Sequence, residues 1–479
     1  WTLMNLYERA MQAGTTRNYD DATLNIPESG DKIPDLLNEA RWEIEMLLKF
    51  QIKSGSQAGL CYQGANDTEL HVLNLVPSDD KLIRRLLNPP TTSATLCLAA
   101  SAAQASRIFK NIDPSFSEET LKQAEAAWDA AVANPKLYKV DSSYGTIVTD
   151  TNDEFYWAAC ELYSTTGSSK YLEFITNSKH YLKMPVSLND IGGHSFDGVF
   201  DSENTEGFGT ITLALGENSL PKDNILKARE NIIEAADHFF SIQSKQGYGT
   251  TINSNDIGGY IKGYPFESNE YILNIAMVSA YAFDFTNNDK YINSALESMD
   301  YILGRNPNQQ CYVTRFGTRP LQNPHHLSFA YQDDNSLPKP PPGFVSGGPA
   351  TTLSRSWVTT PEYNPGEMPP QKNFADSFDS WWTNGVNINL NASFAWVAGY
   401  INEIRSEPPP PPPTPTPLPY SGDLNDDMKI NSTDASILKR VILDSFTGYY
   451  NKDNADINCD GKINSFDYVL LKRKILAGS

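Results

Sequence analysis

The sequence predicts an all-α fold, arranged as one large helical domain, a spacer and a small second domain. Three observations predict it. Apolar residues recur at three- and four-residue spacings in eight separate stretches of the first 405 residues, the period of a helix that buries one face. The two-residue alternation of a half-buried strand is scarce. The connecting segments are long and rich in Gly, Pro, Asn and Tyr, which suits a helical toroid or bundle whose loops carry the site.

Each element has its own signal. The stretch 35–51 sets Leu36, Leu37, Ala40, Ile44, Leu47 and Leu48 on one face. Pro34 stands just ahead of it, where a missing N–H costs little. Similar patterns are expected to give helices over 92–109, 117–133, 154–165, 222–244, 269–285, 290–303 and 393–404. Six prolines then run from Pro408 to Pro413, followed by a Pro-Thr alternation as far as Pro419. Such a run has few backbone donors and a fixed φ, so an extended polyproline spacer is expected. Its composition is also that of secreted linkers. The boundaries fall at 1–405, 406–420 and 421–479, and the last segment predicts apolar helices over 435–443 and 468–476.

Composition excludes several classes. The chain has 58 acidic against 38 basic residues, a net charge of −20, which argues against a nucleic-acid partner because phosphate binding needs a basic surface. No apolar run approaches the ~20 residues needed to span a bilayer, so no membrane partner is expected. Aromatics make up 11%, which suits carbohydrate binding and equally a large core. Cys61, Cys97, Cys160, Cys311 and Cys459 form no CxxC pair. They indicate neither a disulfide framework nor a thiolate metal site, and read as small apolar core residues. The chain opens on Trp1 with no initiator Met or signal peptide, which reads as a processed or truncated product.

The strongest motif lies in the tail. Asp423-Leu424-Asn425-Asp426-Asp427-Met428-Lys429-Ile430-Asn431-Ser432-Thr433-Asp434 returns 33 residues later as Asp456-Ile457-Asn458-Cys459-Asp460-Gly461-Lys462-Ile463-Asn464-Ser465-Phe466-Asp467. Oxygen-bearing side chains occupy loop positions 1, 3, 5, 9 and 12, and the carbonyls of Lys429 and Lys462 fall at position 7. A hard cation wanting six or more oxygens needs that spacing, so two Ca2+ ions are expected. The segment 421–479 resembles a type I dockerin. The resemblance implies docking to a cohesin of a scaffoldin, and hence a secreted, extracellular component of a cellulosome. It also implies that Ser432, Thr433, Ser465 and Phe466 sit at the recognition positions, with Lys439, Arg440, Lys472 and Arg473 on the binding helices. Loop position 6 is Gly461 in the second copy but Met428 in the first. A Cβ in a left-handed turn costs on the order of 1–2 kcal/mol, so weaker calcium binding is expected at the first loop.

A second resemblance covers residues 1–405. It rests on Ile26-Pro27-Glu28-Ser29-Gly30, Ile33-Pro34-Asp35-Leu36-Leu37 with Glu39-Ala40-Arg41-Trp42, and Ala103-Gln104-Ala105-Ser106-Arg107. Trp157-Ala158-Ala159, Glu161-Leu162-Tyr163, and Met299-Asp300-Tyr301-Ile302-Leu303-Gly304-Arg305-Asn306-Pro307 continue it. Asn323-Pro324-His325-His326, Phe374-Ala375-Asp376, Asn384-Gly385-Val386 and Asn391-Ala392 complete it. Together these resemble glycoside hydrolase family 9, inverting cellulases built on an (α/α)6 barrel. The domain is expected to lack the family's first part.

Inverting hydrolysis of a β-1,4-glucan needs two carboxyl groups roughly 6.5–9.5 Å apart, one protonating the leaving oxygen and one activating water. The resemblance places the base in an Asp-Ala-Gly-Asp segment, which occurs nowhere in the 479 residues, and the acid where Gly385 stands. Leu327 replaces an arginine after the His pair, Tyr62-Gln63-Gly64 replaces a Tyr-His-Lys step, and Glu267-Ser268-Asn269 replaces Gly-Ser-Asn. What remains of the implied site is His325 with His326, as partners for a hydroxyl or water, and Asp376 beside the acid position. Tyr312, Trp381 and Trp382 are candidate stacking platforms. His325 could instead cap a helix or fill the core, and each Trp suits packing as well as stacking. The implied domain often carries further calcium, for which no ligand cluster is legible here. The expectation is a cellulosomal cellulase impaired by the loss of its proton-transfer groups; the alternatives are a glucan-binding relative without catalysis and a docking protein with a structural helical block.

Overall fold

The computed structural model describes residues 1–67, 85–138, 150–189, 195–216, 218–253, 264–350, 369–406, 421–458 and 461–476. Most of the spacer expected over 406–420, Cys459 and the expected ligand Asp460 lie outside them. The chain divides into two compact units, Trp1–Glu403 and Ile404–Ser479.

The larger unit is built from helices α1 (Thr2–Ala13), α2 (Asp35–Phe50), α3 (Thr92–Phe109), α4 (Pro114–Ala133), α5 (Asn152–Thr166), α6 (Ser169–Asn177), α7 (Glu206–Leu215), α8 (Lys222–Gln243), α9 (Ser268–Thr286), α10 (Asp289–Ile302), the single turn α11 (Trp381–Asn384) and α12 (Ile388–Ser406). Strand structure is confined, among the described residues, to three short antiparallel ribbons: Cys61–Tyr62 with Pro90–Thr91, Ala65–Asp67 with Arg85–Leu87, and Ser187–Asn189 with Ser195–Asp197. No described helix is long and apolar enough to cross a membrane.

The helices succeed one another around a closed ring. Helix α3 packs on α4 and α5, α5 on α6 and α7, α7 on α8, and α9 on α8 and α10, while α1 packs on α2 and α3. Helix α12 closes the circuit. Its Trp396 indole donates to Asn5 Oδ1 at 3.0 Å, and its Tyr400 hydroxyl donates to Asp284 Oδ1 at 2.8 Å on α9. Arg9 of α1 pairs with Asp284 at 2.7 Å and with Glu403 of α12, all largely buried. Arg107 of α3 pairs with Glu8 at 2.5 Å and Glu161 at 2.6 Å. Charged groups taken from water need such partners, so these two arginines fix how three helices each meet.

Besides the single turn α11, three helices of the larger unit escape the periodicity reading. The buried face of α1 includes Asn5, Glu8 and Arg9 among its apolar residues, which breaks the apolar stripe. Helix α6 is nine residues long and buries only Tyr171 and Ile175. Helix α7 contains Gly207 and Gly209, residues that read as loop. A Cβ on Gly207 would lie 2.7 Å from the Val199 carbonyl oxygen, and one on Gly209 would lie 3.0 Å from the Tyr156 ring, so close approach is what requires glycine there.

The smaller unit holds α13 (Ser432–Ile442), the single turn α14 (Lys452–Ala455) and α15 (Ser465–Leu476) around Leu424, Leu438, Ala455, Ile457 and Leu471. Helix α13 starts three residues ahead of the sequence expectation. Asn431 caps it by accepting from Thr433 N at 2.8 Å, while Asp434 accepts from Asn431 N at 2.9 Å, a reciprocal capping box. The four described cysteines are all free, three of them buried; burial pushes the Cys61 thiol up to about 12, as suits inert core residues.

Candidate functional site

The segments singled out for catalysis converge. His325 N donates to Asn384 O at 2.8 Å, Gly347 N to Gly385 O at 2.9 Å, and Gly348 N to Thr383 O at 2.9 Å. Asn269 N, in the first turn of α9, donates to Gly347 O at 2.9 Å. Residues 325, 347–348, 383–385 and 267–269 therefore form one junction of backbone.

Each sequence-predicted residue has a definite place. Asp376 accepts from Gln322 N at 2.9 Å and Asn323 N at 2.8 Å. Burial pushes its carboxyl up, opposed by those two amides. Both its oxygens thus hold the loop that leads into the His pair. The His325 Nδ1 contacts Phe378 O at 2.7 Å; a carbonyl only accepts, so Nδ1 carries the proton and Nε2 is left as an acceptor. His326 accepts from Ser328 N at 3.3 Å and stacks its ring among Phe329 and Phe344, and burial lowers its pKa. Its ring caps a turn and packs.

The aromatic platforms separate. Trp381 is 38% exposed, whereas Trp382 is 5% and Tyr312 0% exposed. Tyr312 packs against Tyr301 and Phe374, so neither it nor Trp382 offers a ring face to a sugar. Of the three candidates Trp381 alone does, beside Phe266 at 6.0 Å between centroids.

Gly385 brings no side chain, and a carboxyl the sequence reading did not assign to the site, Glu267, bonds to Asn387 two residues beyond it. The Glu267 backbone is left-handed, φ 59° and ψ 37°. Its Oε1 accepts from Asn387 Nδ2 at 2.5 Å, and burial pushes its carboxyl up. One turn further along α9, Glu270 is almost fully buried and pushed up strongly by burial, then by the charges of Glu267 and Asp201. Glu270 and Asp201 line a cavity of about 560 Å³ with Glu39, Trp42 and Glu43. The signal that could have found Glu267 was a bulky acid in the sequence step where the resemblance has glycine.

In the smaller unit the two loops repeat one hydrogen-bond pattern. Asp423 Oδ2 accepts from Met428 N at 2.7 Å, and Asp456 Oδ2 from Gly461 N at 2.7 Å. Asp434 accepts from Leu424 N and Asn431 N, as Asp467 does from Ile457 N and Asn464 N. Met428 is left-handed at φ 64°, beside 79° for Gly461, so the expected strain is present. The donor chemistry fits Ca2+. The side-chain ligands are all oxygens, and Asp423, Asp434 and Asp467 are buried carboxylates that, among the described residues, form no ion pair with Lys or Arg, a placement that a cation would offset. In the described residues no group of three or more His, Cys, Asp or Glu side chains gathers for a metal; the tail loops rely on Asn and backbone oxygens as well. Ser432, Thr433 and Phe466 lie at the starts of α13 and α15, with Phe466 62% exposed. Ser465 begins α15, Lys439 and Arg440 fall in the last turn of α13, and Lys472 and Arg473 fall in the second half of α15.

Comparison with known proteins identifies the family of each unit. Residues 1–398 match the profile of Glycosyl hydrolase family 9. The chain belongs to that family. Residues 421–476 match the Dockerin type I domain. A cellulose 1,4-beta-cellobiosidase of Acetivibrio thermocellus is 44% identical over 95% of this chain and 52% of its own length. Endoglucanase C of Cellulomonas fimi is 35% identical over 85% of this chain and 36% of its own length. The chain thus spans about half, or less, of the length of these relatives. The solved structure of a family 9 protein of Bacteroides ovatus superposes with a TM-score of 0.68 at 26% identity, over 84% of this chain and 69% of that one. The ring of helices in the family 9 domain is accordingly the (α/α)6 barrel, and the dockerin is a calcium-binding module.

Proposed function

We propose that this chain is a secreted, cellulosomal β-1,4-glucan hydrolase acting with inversion, divided into a family 9 domain (1–405), a spacer (406–420) and a dockerin (421–479). The observation that carries the reading is the union, in one chain, of a family 9 match over residues 1–398 and a dockerin match over 421–476. The two relatives, a cellobiosidase and an endoglucanase, support cellulose or a related glucan as substrate. Trp381 is the stacking surface, His325 Nε2 faces a hydroxyl or water, and Asp376 keeps the His loop in place. Asp423, Asn425, Asp427, Lys429, Asn431 and Asp434 would hold one calcium ion, and Asp456, Asn458, Asp460, Lys462, Asn464 and Asp467 a second, which would make the dockerin loops rigid. The cohesin face is Ser432, Thr433, Lys439, Arg440, Ser465, Phe466, Lys472 and Arg473.

Position 385 cannot supply the acid, so cleavage of unactivated glucan is slowed relative to a family member with a carboxyl there; a positioned acid contributes ~10²–10⁴-fold. That same glycine favours a second reading, a glucan-binding relative without catalysis. Incubation with cellohexaose separates them. Products whose first-formed anomer is α by NMR support inverting hydrolysis, β-anomers overturn inversion, and binding without cleavage supports the second reading. No binding to cello-oligosaccharides at all leaves only the docking module.

A further inference from the structure

With no donor at position 385, the departing glycosidic oxygen needs a proton from elsewhere in the junction. We propose that Glu267 is the general acid of this domain, reaching the oxygen from the start of α9; this rests on the hydrolase reading above.

Position comes first. Glu267 and Gly385 flank the same residue: Gly347 N donates to Gly385 O at 2.9 Å, and a Cβ on Gly347 would lie 3.3 Å from Glu267 Cγ. The Glu267 carboxyl is tethered to Asn387, two residues beyond Gly385, at 2.5 Å. Asn387 Nδ2 donates to Oε1, which leaves Oε2 to hold a proton. Phe266, the residue before Glu267, meets Trp381 at 6.0 Å between ring centroids; both rings are part-exposed, 36% and 38%, apolar faces of the kind a sugar ring stacks on.

Conformation comes second. A non-glycine residue in the left-handed region is strained by its Cβ. Such strain persists where the surroundings over-determine it and clusters at functional sites. Glycine at 267 would be the easier residue to fold.

Third, the junction is rich in unmet polar groups. Asn269 Oδ1, Ser346 Oγ, Ser380 Oγ and Asn384 Oδ1 are buried and have no hydrogen-bond partner among the described residues. Unpaired buried polar atoms are destabilising, so this layer favours a polar occupant such as water or a hydroxyl-bearing ligand. Burial also keeps the Glu267 carboxyl protonated to higher pH than an ordinary glutamate, the state a donor needs.

The step balances. The Glu267 proton passes to the glycosidic oxygen as its bond to C1 breaks, a water oxygen bonds to C1 and releases one proton to solvent, and the Glu267 carboxylate regains a proton from solvent. One water is consumed and nothing is oxidised.

The test compares the unaltered chain with Glu267→Gln and Glu267→Gly on two substrates, cellohexaose and dinitrophenyl β-cellobioside. Dinitrophenolate leaves without protonation. The expected result is a ~10²–10⁴-fold loss on cellohexaose for both variants, little change on the activated substrate, and disappearance of the alkaline limb of kcat/KM. Urea unfolding of Glu267→Gly should be no easier than that of the unaltered chain, because the left-handed strain is relieved. Cellohexaose cleavage by Glu267→Gln at the unaltered rate overturns the proposal. So does an equal loss on both substrates accompanied by lower stability, the mark of a structural role. If the unaltered chain cleaves neither substrate, the hydrolase reading itself fails and takes this inference with it.

Discussion

A Cβ placed on Gly385 would lie 2.6 Å from the carbonyl oxygen of Trp381, the same oxygen that accepts the Gly385 amide at 2.8 Å. Real Cβ atoms do not approach a backbone oxygen so closely, so any side chain at 385 forces the 381–385 turn to move. Gly385→Glu and Gly385→Ala should both lower stability by about 1–3 kcal/mol, as overpacked sites do. Urea unfolding measures this. The Glu variant should also recover less than the ~10²–10⁴-fold a well-placed acid contributes; full recovery on carboxymethylcellulose would show that the turn adjusts freely.

Arg9 joins Asp284 and Glu403 in a buried site linking α1, α9 and α12. Arg9→Met removes one cation and strands the buried Glu403 and the part-exposed Asp284, so a loss towards the lower end of about 3–5 kcal/mol is expected. The exposed pair Lys227–Glu230, 3.3 Å apart, is the control: Lys227→Met should change stability by less than about 1 kcal/mol. Equal effects of the two substitutions would contradict the closure of the ring through Arg9.

Glu154 is 1% exposed and accepts from Ser93 Oγ at 2.6 Å. Burial, then the neighbouring charge of Asp153, pushes its carboxyl from an ordinary 4.5 up to about 9. Between those values the folded chain holds a proton that the unfolded chain has released. Stability from this group is therefore full below about pH 4.5 and falls as pH rises towards 9. Glu154→Gln should flatten the dependence across that window, read from denaturant midpoints at pH 5 to 8. An unchanged slope would mean that other groups set it.

Met428 holds the left-handed turn of the first dockerin loop at φ 64°. Met428→Gly should strengthen calcium binding at that loop by about 1 kcal/mol through relief of the Cβ clash, measured by calcium titration of the full chain. Cohesin binding should vanish with a chelator present; calorimetric affinity that survives chelation would remove calcium from the docking mechanism.

Much of this architecture was legible in the residues. The apolar spacing over 35–51 locates α2, and the doubled Asp/Asn spacing from Asp423 and Asp456 locates both dockerin loops, because local patterns need no distant partner to be read. The starts of α13 and α15 were less legible, since Asn431 with Asp434 and Asn464 with Asp467 cap through backbone amides that spacing does not reveal. Helix α7 was invisible because Gly207 and Gly209 earn their places through neighbours on other elements, Val199 and Tyr156.

The sequence by itself determined the helical class, the family resemblance, the calcium-ligand spacing and the glycine at 385, all properties of residues read in order. The tertiary structure decided which rings are reachable, withdrawing Tyr312 and Trp382 and leaving Trp381. It also decided that Asp376 is tied to the loop at 322–323, and that Glu267, 118 positions before Gly385 in the chain, shares the contact with Gly347. Burial and hydrogen bonding depend on what stands across a junction, and sequence distance carries almost no information about that.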